Sequence, residues 1–176
     1  MNLLSSLVLF GSLALTLGCS RPDPGATNIA RNGEASQDSN LSEDTIASKA
    51  IDGNTNPYFA SQSCSMTSGL YDPWWKVDLK QTYKISHVVL TNRGGCCQDW
   101  LLGAEVRIGN NPDNNNPVCG TVTSNESVTL PFCCNGMEGH FVSVIIPDRY
   151  KFLSLCEVEV YGEPVTAAPP MNKVCW

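Results

Sequence analysis

The run Leu155-Cys-Glu-Val-Glu-Val-Tyr161 fits poorly on a helix. It sends Cys156, Val158 and Val160 to one side and Glu157 and Glu159 to the other, the two-residue period of a half-buried strand. Residues 75–79, 83–91, 104–109, 127–130 and 140–146 are built the same way: short, rich in β-branched residues and partly alternating. Gly, Pro, Asn and Asp punctuate them, most heavily at residues 110–117. No segment keeps a long apolar period of 3.6, and there is no internal repeat. The chain therefore predicts an all-β sandwich with long loops. In such folds binding residues sit on loops at the sheet ends. The stretch Thr91-Asn-Arg-Gly-Gly-Cys-Cys-Gln-Asp-Trp100 joins two core strands and falls at one rim.

Outside this unit the chain is different. Leu3 to Leu17 is apolar, interrupted only by small residues and too short to span a bilayer comfortably; it reads as a secretory signal peptide over residues 1–19. A lipoprotein anchored at Cys19 is the rival, disfavoured by Thr16 three residues earlier and by the absence of Lys or Arg before the run. A linker over 20–27, one domain over 28–163 and a Pro-containing tail over 164–176 complete the expected organisation. Nine cysteines in a secreted chain of 176 residues imply disulfides. The expected location is extracellular, with no membrane span. Asn40 and Asn125 begin N-glycosylation sequons.

A net charge of −6, a pI near 4.8 and the absence of any basic run exclude a nucleic-acid partner. Enzyme chemistry lacks its parts. The two histidines, His87 and His140, lie inside strand-like runs, with no nucleophile motif and no metal-binding pair. Two loops carry chemistry instead. Asp52-Gly53-Asn54 is either an ordinary turn or a loop of short oxygen-bearing side chains for Ca²⁺. Cys96-Cys97 pair either with separate partners or with each other. Consecutive Cα atoms lie only ~3.8 Å apart, below the ~4.4–6.8 Å of ordinary disulfides, so a ring of neighbours needs a distorted turn, which Gly94 and Gly95 would ease. Such a ring would offer an apolar, rigid surface to a sugar, with Arg93 donating to hydroxyls and Trp100 stacking.

Several pieces in order, Asn28-Ile-Ala, Ala50-Ile-Asp-Gly-Asn54, Pro73-Trp-Trp-Lys-Val-Asp-Leu79, Thr91-Asn-Arg-Gly, Cys96-Cys97, Gly103-Ala-Glu and Leu155-Cys-Glu-Val-Glu-Val160, give residues 28–162 a resemblance to the F-type lectins, or fucolectins. That resemblance implies a jelly-roll β-sandwich of the galactose-binding-domain type and a structural Ca²⁺. The side chains of Asp52, Asn54, Ser63 and Glu157 and the backbone oxygens of Lys49 and Cys156 would hold the ion. It also implies bridges Cys64–Cys156, Cys96–Cys97 and Cys119–Cys133, which leaves Cys134 and Cys175 to pair.

The implied sugar site matches less well. The family pattern sets a His, then Arg-x-Asp, then Arg or Lys four residues on. Here those places hold Met66, Arg93 with Gly95, and Trp100. Arg93 survives, with Cys96, Cys97 and Phe59 beside it. The expectation is thus a secreted, Ca²⁺-containing lectin for glycans, fucosylated ones among them, with weakened or altered fucose specificity. A role in innate defence and homo-oligomers such as trimers, which multiply weak sites, belong to the same expectation. The alternative is a secreted discoidin-like module that has lost sugar binding and contacts protein or lipid through an exposed Trp100 and Met66.

Overall fold

The computed structural model describes residues 22–166; the signal-peptide region and most of the tail, Cys175 included, lie outside them. Among the described residues nine strands run in chain order: β1 (Glu34–Gln37), β2 (Ser65–Met66), β3 (Leu70–Tyr71), β4 (Trp74–Asn92), β5 (Glu105–Gly109), β6 (Val118–Thr121), β7 (Thr129–Ile145), β8 (Tyr150–Lys151) and β9 (Ser154–Pro164). Short 3₁₀ turns at Ile29–Asn32, Ala47–Ile51, Phe59–Ser61 and Gln98–Leu101 fill the connections.

Two long strands organise everything. The first half of β4, residues 74–78, pairs antiparallel with β1 on one side and with the end of β7 on the other; β7 there continues to β5 and β6. The second half, residues 83–92, pairs with the start of β7 and with β9, which carries β2. Register shifts between Asp78 and Tyr83, with Lys80 at a left-handed φ of 68°, divide the halves. One strand pair thus feeds both layers of a β-sandwich, so two pairs of expected strands are each continuous: 75–79 with 83–91, and 127–130 with 140–146.

The burial pattern follows the alternation. Trp75, Val77, Leu79 and Ile85 are buried at odd positions, then Val88 and Leu90 at even ones. A register shift between Ile85 and His87 inserts the extra residue that changes the phase. Val106 and Ile108 of β5, Val142 and Val144 of β7 and Val158 and Val160 of β9 meet them in one continuous core. Gly139 is there because a Cβ would meet the Gly109 backbone at 2.6–2.7 Å. Asn28 anchors the amino-terminal segment: its Oδ1 accepts from Ala30 N at 3.1 Å and Val160 N at 3.0 Å.

Trp75 is fully buried and its Nε1 donates to Ala47 O at 3.0 Å, tying β4 to the 3₁₀ turn ahead of the Asp52 loop. Trp75→Phe removes ring volume and leaves that carbonyl unpaired, at ~2 kcal/mol for the two effects together. Urea unfolding should show a correspondingly lower midpoint; an unchanged one would mean that the indole N–H contributes nothing.

The disulfides differ from the implied set. Cys64–Cys156 is present. Cys119 joins Cys134 rather than Cys133. Successive strand residues face opposite sides; Cys134 faces the core at 2% exposure, where Cys119 also packs. Pairing of Cys134 with Cys175 is thereby excluded, and Cys133 is itself disulfide-bonded. Cys96 and Cys97 are free thiols rather than a ring, in keeping with the short separation of consecutive Cα atoms. Asn40 and Asn125 are both exposed. Among the described residues no helix is long and apolar enough to cross a membrane.

Candidate functional site

The loop after β4 is shaped by backbone hydrogen bonds and left-handed turns, and is closed by one buried side chain. Gly94 N donates to Pro57 O at 2.7 Å and forms a parallel bridge with Tyr58. Gly95 and Cys97 take left-handed φ values of 83° and 66°, and the turn Gln98–Leu101 follows. Buried Asn92 closes the loop by donating from Nδ2 to Gln98 O at 3.0 Å. The result brings the 57–59 segment, the end of β2 and the 93–100 loop to one rim.

Arg93 stands at the centre of that rim. Its Cζ lies 4.3 Å from the Phe59 ring centroid and 5.9 Å from that of Trp100, so the cation sits between two π faces. One terminal nitrogen donates to Met66 Sδ at 3.8 Å, and Nε is buried without a hydrogen-bond partner. The Phe152 ring also stacks on Trp100, at 5.1 Å between centroids with 25° between planes. Phe59, Arg93, Trp100 and Phe152 are thus linked by successive ring contacts. Cys96 is exposed beside them. Burial and the hydrogen bond with Cys96 push the Cys97 thiol upward, the hydrogen bond being the larger effect; Arg93 opposes both.

All six expected sugar-site residues thus share one rim, but besides the unbridged Cys96 and Cys97 two more do not present themselves as expected. Met66 is 3% exposed, so it cannot serve as a surface patch; its sulfur is spent on Arg93. Trp100 is half-buried, with one face given to Phe152. Tyr58, 60% exposed and 3.5 Å from where a Cβ on Gly95 would be, belongs to the rim too. Neither Tyr58 nor Phe152 was singled out from the sequence. Tyr58 offers a signal only in being next to Phe59, and Phe152 sits in a segment, 150–152, with no visible period.

A second cluster lies behind the Phe59 segment. Gly53 N donates to both carboxylate oxygens of Glu157, at 3.1 and 3.2 Å, which lays the Asp52-Gly53-Asn54 loop on β9. Asp52 Oδ1 accepts from Asn54 N at 2.8 Å. Ser63 Oγ donates to Asn56 O at 2.6 Å and to Tyr58 O at 3.2 Å. The Cys64–Cys156 bridge joins the residues adjoining Ser63 and Glu157, and Lys49 lies within the 3₁₀ turn Ala47–Ile51 that Asp52 caps. The six residues expected around a cation therefore occupy one neighbourhood.

Glu157 supplies the test of fit. It is fully buried, and burial is the main reason its pKa is pushed up to about 7; the charges of Asp52 and Glu159 add to this, while the Gly53 N–H and Arg31 oppose it. A buried carboxylate with acidic neighbours and one amide donor is short of positive charge. Oxygen donors from Asp52, Asn54, Ser63 and two backbone carbonyls are a hard-cation set. The residues fit a Ca²⁺ ion.

Comparison with known proteins agrees with this geometry. Residues 49–144 match the family of NedA-like, galactose-binding domains. Over 140 residues the chain is 46% identical to Fucolectin-6 of Anguilla japonica, covering 76% of this chain and 74% of the eel protein. The crystal structure of a serum fucolectin from striped bass, Morone saxatilis, aligns with a TM-score of 0.76 at 44% identity over 81% of this chain, which spans only 50% of that longer one. The lectin domain of Lectinolysin, complexed with Lewis B antigen, aligns with a TM-score of 0.72 at 29% identity, over 78% of this chain and 97% of that one.

Proposed function

This chain belongs to the F-type lectin (fucolectin) family, and from that membership we propose that it is a secreted, calcium-stabilised lectin whose glycan specificity has shifted away from simple fucose recognition. The observation that carries the reading is Arg93 held between Phe59 and Trp100 at the rim of the sandwich. A guanidinium flanked by aromatic rings offers hydrogen-bond donors to hydroxyls and apolar faces to a sugar's C–H surface.

Support for altered specificity comes from what surrounds Arg93. Met66 takes one of its N–H donors, Gly95 offers no side-chain acceptor, and Trp100 offers no cation. Each missing charge-assisted hydrogen bond is worth ~1.5–3 kcal/mol, and 1.4 kcal/mol is about tenfold in affinity. Two such losses lower fucose affinity by roughly a hundredfold or more relative to a site that keeps them. Secretion is supported by the Cys64–Cys156 and Cys119–Cys134 disulfides, which belong to oxidising compartments. Glycan recognition in innate defence accords with the serum origin of the striped bass relative. The discoidin-like alternative keeps only part of its contact patch, because Met66 is buried while Trp100 stays half-exposed.

A glycan array run with the intact chain tests the reading. Binding to a defined set of glycans is expected, and Arg93→Ala should weaken it by about 10- to 100-fold. An array that stays blank for the folded wild-type chain, or signals that Arg93→Ala leaves untouched, would remove the lectin assignment.

A further inference from the structure

We propose that Cys19 and Cys133 form a third disulfide, which keeps Cys19 in the secreted chain and clamps the amino-terminal strap, residues 22–27, across the outer side of the β7, β4 and β9 layer. The inference shares only secretion with the reading above and does not depend on the sugar.

Elimination narrows the partner of Cys133 to two. Cys64, Cys156, Cys119 and Cys134 are taken by the two bridges already described, and Cys96 and Cys97 are free thiols. Cys133 is disulfide-bonded as well. Of the nine cysteines, Cys19 and Cys175 are left to meet it within one chain; both lie outside the described residues.

The side of the sheet that Cys133 occupies favours Cys19. Cys134 belongs to the core, so Cys133 is on the outward side of β7. Its register partner on β4 is His87, which is paired in turn with Tyr161 of β9. The next outward row is Pro131, Val89 and Glu159, again in register. Val88 and Leu90 face the core, yet outward Val89 is also only 5% exposed. The strap covers it. Pro22, Asp23 and Ala26 share a cavity of about 300 Å³ with Val89, Pro131 and Glu159. The same three residues share another, of about 530 Å³, with His87 and Tyr161.

The course of the strap is the next argument. At its end Asn28 is fixed to β9, where its Oδ1 accepts from Val160 N at 3.0 Å. Six residues earlier, Pro22 is beside both His87 and Pro131, the neighbours of Cys133 on β4 and β7. Traced backwards, the chain therefore runs from β9 over β4 towards β7, and Cys19 is three residues further on. Three extended residues reach ~10 Å, more than the ~7 Å between alternate residues such as Pro131 and Cys133 on one strand. The carboxy-terminal tail starts elsewhere. Val165 N donates to Thr82 O at 2.9 Å and Pro164 pairs with Tyr83, four positions or ~13 Å along β4 from His87. A tail leaving there has to turn back along the sheet to bring Cys175 to Cys133.

The leader agrees with this assignment. Thr16 and Gly18 put small residues three and one before Cys19, the pattern of a signal-cleavage site. Cleavage there makes Cys19 the first residue of the secreted chain. Bond formation joins the two Sγ atoms; the thiols give up two protons and two electrons to the disulfide of a secretory-compartment oxidoreductase, which becomes a dithiol. A lipid anchor at Cys19 would need the same sulfur, so bridge and anchor exclude each other.

The test uses the full chain with its own leader, expressed in secreting eukaryotic cells. Secreted protein is sequenced from its amino terminus and digested with trypsin without reduction. The sequence should begin at Cys19, and the peptide ending at Arg31 should be joined to the one that carries Cys133. Cys133→Ser should release it while Cys119–Cys134 stays intact. Hydrogen exchange reads the clamp. Ala26 N donates to Asp23 O at 2.9 Å, and in Cys19→Ser it should exchange about tenfold faster or more, with the β9 amides unchanged. Val174-Cys175-Trp176 or a second chain found on Cys133, or a secreted chain that begins after Cys19, would overturn the bridge. Unchanged exchange in Cys19→Ser would overturn the clamp even where the bond is found. Protein kept inside the cells with residues 1–18 attached would overturn secretion itself, and the bridge with it.

Discussion

A chain carrying Cys64→Ala and Cys156→Ala loses about 4–5 kcal/mol of stability in urea. The bridge closes a separation of 92 residues, and the chain-entropy account assigns ~4.7 kcal/mol to a loop of about 100 residues. Removing Cys119–Cys134, which spans 15 residues, costs ~3 kcal/mol on the same account. The ordering of the two double variants is therefore the sharper result. Position reinforces it. Cys64 follows Ser63 and Cys156 precedes Glu157, and all four residues are at most 1% exposed. Losing this bridge loosens both sides of the buried carboxylate, whereas the other joins β6 to β7. Equal midpoints for the two variants, or a reversed order, would show that loop closure and this neighbourhood do not dominate.

The sandwich is legible in the sequence because its strands alternate. Val158 and Val160 against Glu157 and Glu159 predict a strand whose one side is buried, and the structure buries that side. Glu157 is the exception that alternation misses: it is as buried as its neighbours, because the Asp52 loop covers it and donates Gly53 N–H to it. Nothing in the local period announces a cover that comes from a hundred residues earlier. The same limit explains the strand count. Residues 80–82 look like a break between strands, yet β4 passes through them by bending, and short pieces such as β2 and β8 are too brief for any period.

The candidate sugar site is half legible for a related reason. Which residues gather, Arg93 with Phe59, Met66 and Trp100, follows from their places on rim loops and from the family resemblance. How they are spent does not. That Met66 accepts from Arg93 and that Phe152 takes a face of Trp100 are facts of side-chain packing across segments 27 and 52 residues apart. The cysteine pairing failed similarly at Cys133 and Cys134, where a one-residue choice depends on which strand face each one occupies.

Glu157 yields the other large effect, one whose sign reverses with calcium. In metal-free protein its pKa is pushed up to about 7 from 4.5, chiefly by burial. A carboxyl whose folded pKa is raised binds its proton more tightly in the folded chain, so its contribution is fully present below pH ~4.5 and is lost as pH rises through ~7. At 1.36 kcal/mol per pKa unit, the shift amounts to roughly 3 kcal/mol. Chelator-treated chain should therefore melt lower at pH 8 than at pH 5. A calcium ion held, as proposed, by Asp52, Asn54, Ser63 and Glu157 would favour the ionised carboxylate and turn that liability into a contact. At a free concentration 100-fold above the dissociation constant, binding adds ~2.7 kcal/mol; at roughly 4 °C per kcal/mol for a domain of this size, the midpoint at pH 8 rises by about 10 °C. Glu157→Gln separates the two effects. Without metal it should be more stable than wild type at pH 8, since no charge is buried, and calcium should then raise its midpoint little. A wild-type midpoint at pH 8 that does not move between chelator and millimolar Ca²⁺ would remove the ion from this loop. A Glu157→Gln chain that responds to calcium as fully as wild type would leave the ion in place and take away the role of its carboxylate.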